Sequence, residues 1–391
     1  MATGGAIAAS TASATTQPAP VGARIPVART IVRRRSLAGQ LRVPKLDARA
    51  THLAVRWRGG DAQIRLHNET GWTGWQPLDE CGGAPDNHPN PGHSALLVAP
   101  GTTGYEIVVS GGGTAEVSEI NTIDGPALVA AAPAVVGMPM PDGSTCPVTY
   151  LSRAAWGADE SKRFDSGGNE VWPAEWWPAQ VLTVHHTAGI NNDPDPAATV
   201  RAIYQNQAVT QGWGDIGYHL LVDEAGRVYE GRWTGGGNWP IFGTSAAQMN
   251  TAGHAEGYNT GNIGVVLLGD FTNQGPTSAA VNALTTVLAS LARMLNIDPQ
   301  ATVNYFNPVN NNAKANLGLT GHRDWNATQC PGNTFYPTFD SLRANVAAQI
   351  PPVERTRPGQ PPVEPPTETR SPAPSSSPHL PGGDGRTRPP G

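Results

Sequence analysis

Hydrophobic periodicity changes partway along this chain of 391 residues, and the change limits the folds that it can adopt. Across residues 41–125, apolar and polar side chains alternate in short runs such as Leu53-Val55-Trp57, and Gly, Asn and Asp separate the runs. That pattern is typical of short antiparallel strands. We therefore predict a small antiparallel β-sandwich domain of about 85 residues in this part of the chain.

The second part of the chain, residues 149–350, alternates strands with helices. Asn262–Leu268 is a nearly continuous apolar run, as expected of a strand that is covered on both faces. Thr277–Leu295 repeats apolar residues at helical spacing, and 339–350 ends the segment with a further amphipathic pattern. Alternation of this kind predicts an α/β domain.

Three segments lack such a pattern. Residues 126–148 are rich in Ala and Pro, which predicts a linker. Residues 351–391 contain 13 Pro in 41 positions and cannot build a core, so we predict a disordered tail. Residues 1–40 are also predicted to be disordered, and within them Ala12-Ser13-Ala14 is similar to a signal-peptide cleavage site. An exported protein whose start was trimmed and a plain disordered tail are both open interpretations.

Composition argues against two classes of protein. The chain has 26 basic and 31 acidic side chains, a formal net charge of −5, which disfavours nucleic-acid binding driven by a positive field. No stretch reaches the roughly 20 consecutive apolar residues that span a bilayer. We expect a monomer that neither binds nucleic acid nor spans a membrane.

Histidine and cysteine occur where a metal could be held. His185-His186 ends an apolar strand, and His322 precedes Cys330 by a short loop. Neutral imidazole nitrogen and thiolate sulfur are ligands that Zn²⁺ prefers, and three protein ligands leave a position for water. Such an ion polarises carbonyls and lowers the pKa of its water towards ~7. The spacing alone is weak evidence for a metal site, because a single His at a strand end or a single buried Cys commonly has only a structural role.

Five motifs in a fixed order make the pattern specific. They are Ser152–Ala158, Val184–Gly189, Gly212–His219, Gly253–Asn259 with Asn262-Ile263-Gly264, and Gly321–Asp324 with Cys330-Pro331-Gly332. Together they resemble the peptidoglycan recognition proteins and the related zinc N-acetylmuramoyl-L-alanine amidases of bacteria and phage, over about residues 149–350. The resemblance implies a mixed central β-sheet flanked by helices. It also implies zinc-dependent hydrolysis of the amide bond between N-acetylmuramic acid and L-alanine in peptidoglycan.

The resemblance assigns roles to individual residues. Three residues match the family's zinc ligands: His185, His322 and Cys330. Tyr218 matches a tyrosine beside the metal-bound water in catalytic members, so it is a candidate catalytic group. Thr328 stands where some relatives carry a Lys that stabilises the transition state, and its hydroxyl is the second candidate catalytic group.

Alternative functions stay open at this point. Non-catalytic recognition proteins typically have Ser in place of the ligand Cys, so Cys330 favours an enzyme. Thr328 stands where some relatives carry Lys, and Val266 stands where other members carry Glu. These two departures keep open the alternative of a recognition module that binds peptidoglycan without cutting it. A phage-type lysin with the same chemistry is another. In each case the partner is peptidoglycan or its muropeptides, and we expect a secreted or cell-wall-associated protein.

The other conspicuous polar residues of these motifs are harder to assign. His254, Tyr258 and Asn259 lie in a Gly-rich loop, where they either contact glycan or stem peptide or shape the loop. His186 and His219 alternate away from His185 and Tyr218 along extended backbone. We therefore predict that His186 lies in the core or supports a ligand, and that His219 belongs to the core.

Tryptophan and the two remaining cysteines leave further choices. Trp57, Trp72 and Trp75 could form a platform on which sugar rings stack, or could fill the core of the sandwich. Cys81 and Cys146 could form a bridge in an exported protein, or could be two separate thiols.

Overall fold

A computed structural model describes residues 25–78, 83–86, 93–131, 134–235, 239–243 and 248–350. The Ala12–Ala14 motif, Cys81 and the predicted Pro-rich tail lie outside the described residues, so the predictions made for them stay predictions.

The first part of the chain forms antiparallel strands. They are β1 (Ile25–Ala28), β2 (Ile31–Ala38), β3 (Gln40–Val43), β4 (His52–Arg58), β5 (Ala62–Asn68), β6 (Gly71–Trp72), β7 (Gln76–Pro77), β8 (His93–Val98), β9 (Gly104–Val109), β10 (Thr114–Asn121) and β11 (Ala127–Ala131). One sheet has the order β2-β10-β4-β8, and a second has the order β3-β9-β5-β6 with β7 also paired to β5. β1 pairs with β11.

The two larger sheets face each other across an apolar core, as the period-two alternation predicts. Leu53 and Val55 of β4 are at most 1% exposed, and they share this core with Ile64 of β5 and Ile107 of β9. We refer to these two sheets as the sandwich. The prediction that all of residues 1–40 are disordered is wrong for β1 and β2, because β2 pairs along its whole length with β10.

The three tryptophans of this region have different environments. Trp57 is 4% exposed and belongs to the core of the sandwich. Trp75 is 41% exposed, and the Arg65 guanidinium lies 4.8 Å from its ring centroid and 4.9 Å from that of Trp72. Trp57 therefore fills the core, whereas Trp72 and Trp75 hold an arginine between them.

The segment predicted as a linker, residues 126–148, is not one. β12 (Val135–Pro139) and β13 (Thr145–Leu151) pair with each other and form one edge of a seven-stranded sheet. Met138, Cys146 and Val148 are buried on the face that packs against the longest helix of the chain. Cys146 is buried as a free thiol, with Sγ 3.8 Å from the Thr286 carbonyl oxygen. Because Cys81 lies outside the described residues, the two alternatives for this pair of cysteines stay predictions.

The remaining strands and helices follow in alternation. The strands are β14 (Trp176–Pro178), β15 (Val181–His186), β16 (Leu220–Val222), β17 (Arg227–Glu230), β18 (Gln248–Asn250), β19 (Asn262–Leu267), β20 (Thr302–Phe306), β21 (Ala313–Leu317) and β22 (Leu319–Gly321). The helices are α1 (Arg153–Trp156), α2 (Pro196–Gln205), α3 (Ser278–Leu295) and α4 (Phe339–Ala348).

The large sheet is mixed and is covered on both faces. Its order is β12-β13-β17-β16-β19-β15-β22, with β15 parallel to both β19 and β22 and β16 antiparallel to β17. α3 and α4 pack on one face and α2 on the other. Every residue of β15 and β19 is buried, which explains the nearly continuous apolar run of β19.

Helix α3 begins and ends with capping residues. The Thr277 hydroxyl oxygen accepts a hydrogen bond from Ala280 N at the start, and Asn296 adopts a left-handed conformation with φ 55° at the end. Among the described residues, α3 alone has the length and composition of a membrane-spanning helix. It packs Leu284 and Leu288, both fully buried, against the mixed sheet of its own chain.

The sandwich rests on helix α2. Ala54 and Ile120, on the outer face of one sandwich sheet, pack against Ala202 of α2. The His52 ring bridges the same contact, with Nε2 3.0 Å from the Thr199 hydroxyl oxygen. The sandwich and the α/β region therefore share a packed interface.

Candidate metal centre

Two adjacent parallel strands bring the first two candidate ligands together. His185 lies near the end of β15, and His322 directly follows β22, which pairs with β15 in parallel. Because both strands run in one direction, their carboxyl ends meet at one edge of the sheet. The two imidazole centroids are 4.6 Å apart.

A short loop returns Cys330 to the same point. Arg323 holds the loop through its backbone N–H, which donates to the Cys330 carbonyl oxygen at 3.0 Å. The potential ligand atoms of His185, His322 and Cys330 all lie within 4.8 Å of one another. The structure thus brings together the three residues that the resemblance implied as ligands.

The chemistry of this donor set fits zinc. His322 Nε2 is buried and has no hydrogen-bond partner among the described residues. His185 Nδ1 faces Cys330 Sγ at 3.8 Å, and the His186 backbone N–H points at that sulfur from 3.3 Å. An N–H donor stabilises a thiolate, and two imidazole nitrogens with one thiolate suit Zn²⁺.

Burial keeps the two imidazoles neutral, as metal ligation requires. Desolvation, reinforced by the neighbouring His322, lowers the pKa of His185 well below its usual 6.5. Burial likewise lowers the pKa of His322 to about 3. Both rings therefore offer a lone pair near neutral pH.

His254 fixes which nitrogen of His185 faces the candidate metal position. His254 Nε2 lies 2.9 Å from the Asn262 carbonyl oxygen, which can only accept, so His254 carries its proton on Nε2. His254 is neutral because burial lowers its pKa to about 4. Its Nδ1 then accepts a hydrogen bond from His185 Nε2 at 3.0 Å. His185 Nδ1 is left with its lone pair directed towards Cys330.

Gly264 on the central strand makes this arrangement possible. A Cβ at Gly264 would lie 2.4 Å from the His254 ring. His254 is 1% exposed behind His185 and is not among the described residues that line the cleft, so the structure favours the loop-shaping alternative over contact with glycan or stem peptide. A glycine in the middle of an apolar strand was the signal for such a close approach.

The other two residues predicted to contact substrate also shape the loop. Asn259 is 0% exposed, and its Oδ1 accepts hydrogen bonds from the backbone N–H groups of His254 and Ala255 at 2.7 and 2.8 Å. The Tyr258 ring packs against Trp325 with centroids 5.4 Å apart and is not among the described residues that line the cleft. The structure therefore favours the loop-shaping alternative for Asn259, and it does not bring Tyr258 to the cleft.

His186 and His219 lie as the strand alternation predicts. His219 is fully buried, donates from Nε2 to the Asn250 carbonyl oxygen at 2.7 Å and accepts from Gly264 N at 2.9 Å. His186 Nδ1 accepts from Phe271 N at 3.2 Å on the opposite face of the sheet from His185.

The two candidate catalytic groups flank the centre. The Tyr218 ring lies edge-on to His185, with centroids 5.5 Å apart. Thr328 lines the cleft, and its hydroxyl oxygen accepts from Cys330 N at 3.2 Å, which leaves the hydroxyl proton to donate elsewhere. Val266 is fully buried beneath α2. The carboxylates among the described cleft residues are Glu256 and Asp270.

The centre opens into a cleft of about 870 Å³ whose walls come from two parts of the chain. The α/β region contributes residues 186–190 and 326–330 together with His322. The sandwich contributes residues 76–78 and 95–98. No sequence pattern predicts this second wall, because it depends on how the sandwich packs on α2.

Comparison with known proteins agrees with the motifs. The family model described as N-acetylmuramoyl-L-alanine amidase matches residues 175–333, which include all three candidate ligands. Peptidoglycan recognition protein 1 of Bos indicus is 30% identical over 190 residues, covering 48% of this chain and 80% of that protein. The chain belongs to the family of peptidoglycan recognition proteins and N-acetylmuramoyl-L-alanine amidases.

Further members of this family match more distantly or over less of their length. The human N-acetylmuramoyl-L-alanine amidase is 32% identical over 174 residues, but the match covers 42% of this chain and only 24% of the human protein. The solved structure of wild-type Drosophila PGRP-LB is 25% identical, with a TM-score of 0.36, and the match covers 49% of this chain and 92% of that one.

Proposed function

We propose that this family member is a zinc-dependent N-acetylmuramoyl-L-alanine amidase that cuts peptide stems from bacterial peptidoglycan outside the cell or in its wall. The observation that carries the proposal is the convergence of two buried, neutral imidazoles and one sulfur at the floor of a cleft. Two neutral ligands and one thiolate leave a net charge of about +1 on a bound Zn²⁺.

Three atoms of this chain would hold the ion: His185 Nδ1, His322 Nε2 and Cys330 Sγ. When bound, Zn²⁺ supplies Lewis acidity, which polarises the amide carbonyl and makes water a better nucleophile near neutral pH. His254 holds the His185 ring in the tautomer that this requires, and the His186 N–H stabilises the thiolate.

Two hydroxyl groups would stabilise charge that develops on the substrate. The carbonyl oxygen of the lactyl group gains negative charge as the amide bond is attacked, so donors close to it lower the barrier. Tyr218 beside His185 and Thr328 beside Cys330 are placed at two sides of the ligand set. Each would donate its hydroxyl proton to that oxygen.

A recognition protein that binds muropeptides without cutting them is the second candidate. It is favoured by Val266, a buried aliphatic residue at the position where the resemblance implies Glu in some members of the family. Under this alternative the cleft is occupied by the same ligand, but the amide bond stays intact.

Mass spectrometry of digested peptidoglycan tests the proposal. Purified peptidoglycan is incubated with the zinc-loaded protein, with and without a chelator. We expect free stem peptides with an L-alanine amino terminus, and we expect them only without the chelator. Glycan fragments with intact stems would identify a glycosidase instead, and binding without any cleavage would favour the recognition protein.

Cys330→Ser separates the roles of metal and cleft. Because serine is a poor zinc ligand, we expect this variant to lose zinc and amide cleavage while it keeps muropeptide binding. Zinc content by atomic spectroscopy and binding by calorimetry measure the two effects. Unchanged hydrolysis in this variant would rule out the zinc mechanism.

A further inference from the structure

A short segment between strands β7 and β8, residues 83–86, packs on the loop behind the candidate metal centre. A Cβ at Gly83 would lie 2.4 Å from the backbone carbon of His254, so the two backbones touch. Ala84 is buried with Trp172 and Trp213 of the α/β region. This segment is therefore close-packed against the α/β region.

Asp86 at the end of this segment fixes the loop of residues 253–260. Its Oδ1 accepts hydrogen bonds from the backbone N–H of Gly257 at 3.1 Å and from Asn259 Nδ2 at 2.8 Å. Its Oδ2 accepts from Thr260 N at 3.1 Å, Thr260 Oγ1 at 2.9 Å and Asn307 Nδ2 at 2.7 Å. A carboxylate only accepts, and here donors surround both oxygens.

The loop passes this constraint on to the metal centre. Asn259, held by Asp86, accepts from His254 N at 2.7 Å. His254 in turn accepts from His185 Nε2 at 3.0 Å. Two hydrogen bonds on either side of His254, one at its backbone N–H and one at its ring, thus link Asn259 to a candidate zinc ligand, and Asp86 holds Asn259.

We propose that Asp86 is a positioning residue for the metal centre: it fixes the 253–260 loop so that His254 orients His185 Nδ1 towards the metal. The inference rests on the proposed function, because it takes the group at His185 to be zinc. Without Asp86, Asn259 Nδ2 would keep only the Ala84 carbonyl oxygen as its acceptor, at 2.8 Å, and the backbone N–H groups of Gly257 and Thr260 would lose theirs. The 253–260 loop would then hold the His254 ring less firmly against His185.

Metal binding by the full-length chain tests this proposal. Asp86→Ala is compared with Asp86→Asn, which keeps one acceptor oxygen, and with Asp124→Ala as the matched control. Asp124 is a sandwich carboxylate that accepts from Asn121 Nδ2 at 2.8 Å. Removing the support of a ligand costs 10–100-fold in metal affinity. By chelator competition we expect about a tenfold loss in Asp86→Ala, a smaller loss in Asp86→Asn and none in Asp124→Ala.

A spectroscopic measurement and a double variant exclude a merely structural role. In the Co²⁺-loaded protein, Asp86→Ala should shift the visible absorption bands, which report ligand geometry, whereas Asp124→Ala should not. In a His254→Gln background, Asp86→Ala should add little to the loss of affinity, because both changes act on the same path. Unchanged affinity and spectrum in Asp86→Ala, or additive losses in the double variant, would overturn the proposal.

Hydrogen exchange keeps this inference separate from the proposed function. If the wild-type chain binds no metal, the zinc proposal fails, but the loop can still be measured in the metal-free protein. Asp86→Ala should accelerate exchange at the backbone amides of His254 and Ala255, which bind Asn259 and not Asp86 itself. Equal protection of these two amides in variant and wild type would refute the role of Asp86.

Discussion

At the scale of single residues, the candidate metal centre depends on the direction of each nitrogen lone pair as much as on the identity of the candidate ligands. His185 offers Nδ1 because His254 occupies Nε2, and His254 can do so because the Asn262 carbonyl fixes its own proton. Sequence motifs name the ligands, but they do not state tautomers. His254, Asn259 and Asn262 are buried and therefore support the site without being among the described residues that line the cleft.

Tyr218 gives the sharpest test at this scale. Tyr218→Phe removes one hydroxyl donor, and loss of such a donor typically lowers kcat by about 100-fold to 1,000-fold. We expect a fall of this size in hydrolysis of soluble muropeptides with little change in zinc affinity. Tyr204→Phe is the control, since its hydroxyl donates to the Asp159 carbonyl oxygen at 3.3 Å. Equal losses in both variants would remove Tyr218 from the mechanism.

Whether a residue's role can be predicted from the sequence depends on how far along the chain its contacts lie. His185, His322 and Cys330 are readable in the sequence, because each belongs to a short motif. The role of Asp86 is not readable, because its partners lie at least 171 positions away in the chain. The choice between substrate contact and loop shaping stayed open for His254 for the same reason, since its burial depends on packing against Gly264 of the neighbouring strand β19.

At the scale of secondary-structure elements, a clear hydrophobic periodicity predicted helix α3, whereas an Ala- and Pro-rich composition hid strands β12 and β13. Helix α3 begins within one residue of the predicted start and ends at the predicted residue, because its apolar spacing and its cap are local signals. The sequence analysis missed strands β12 and β13, because Ala and Pro dominate this segment and hide its period-two pattern. The buried residues lie two positions apart, at Met138 and Met140 and again at Cys146 and Val148. Pairing with a parallel strand 78 positions away completes β13, and no local pattern reports that contact.

Gly264 on β19 provides the prediction for this scale. Gly264→Ala places a Cβ 2.4 Å from the His254 ring, so the ring must move or the strand must shift. Overpacking of this kind typically costs about 1–3 kcal/mol in the free energy of unfolding. We expect that loss in urea denaturation, together with weaker zinc binding.

The matched control is Gly275→Ala, where the nearest atom to a new Cβ is 4.0 Å away. This variant should keep both its stability and its zinc affinity. If Gly264→Ala binds zinc as tightly as the control does, the position of the His254 ring against Gly264 does not matter for metal binding, and the prediction is wrong.

At the scale of the whole molecule, the sandwich and the α/β region meet at a buried histidine. The His52 ring lies between the hydroxyl groups of Thr51 and Thr199, at 2.9 and 3.0 Å. Burial, assisted by the nearby Arg201 cation, lowers the pKa of His52 to about 3. The folded protein thus leaves this ring neutral where the unfolded chain, with a pKa near 6.5, would protonate it.

This contact should make the stability of the molecule fall in acid. Between pH 6.5 and about 3 the unfolded chain binds a proton that folded His52 does not, so the free energy of unfolding decreases as the pH falls. The contribution is complete above pH 6.5 and is reduced by about 2 kcal/mol at pH 5. Denaturant titrations of wild type and His52→Gln at pH 7 and pH 5 measure it. Because glutamine does not titrate, the variant should lose less stability, and equal losses would exclude His52.

The composite cleft has a consequence for how such a protein can change over time. One wall of the cleft consists of residues 76–78 and 95–98 of the sandwich, whereas the candidate ligands lie at and after strand ends of the α/β region. Substitutions at those wall residues can therefore change the shape of the cleft wall while the three candidate ligands stay as they are.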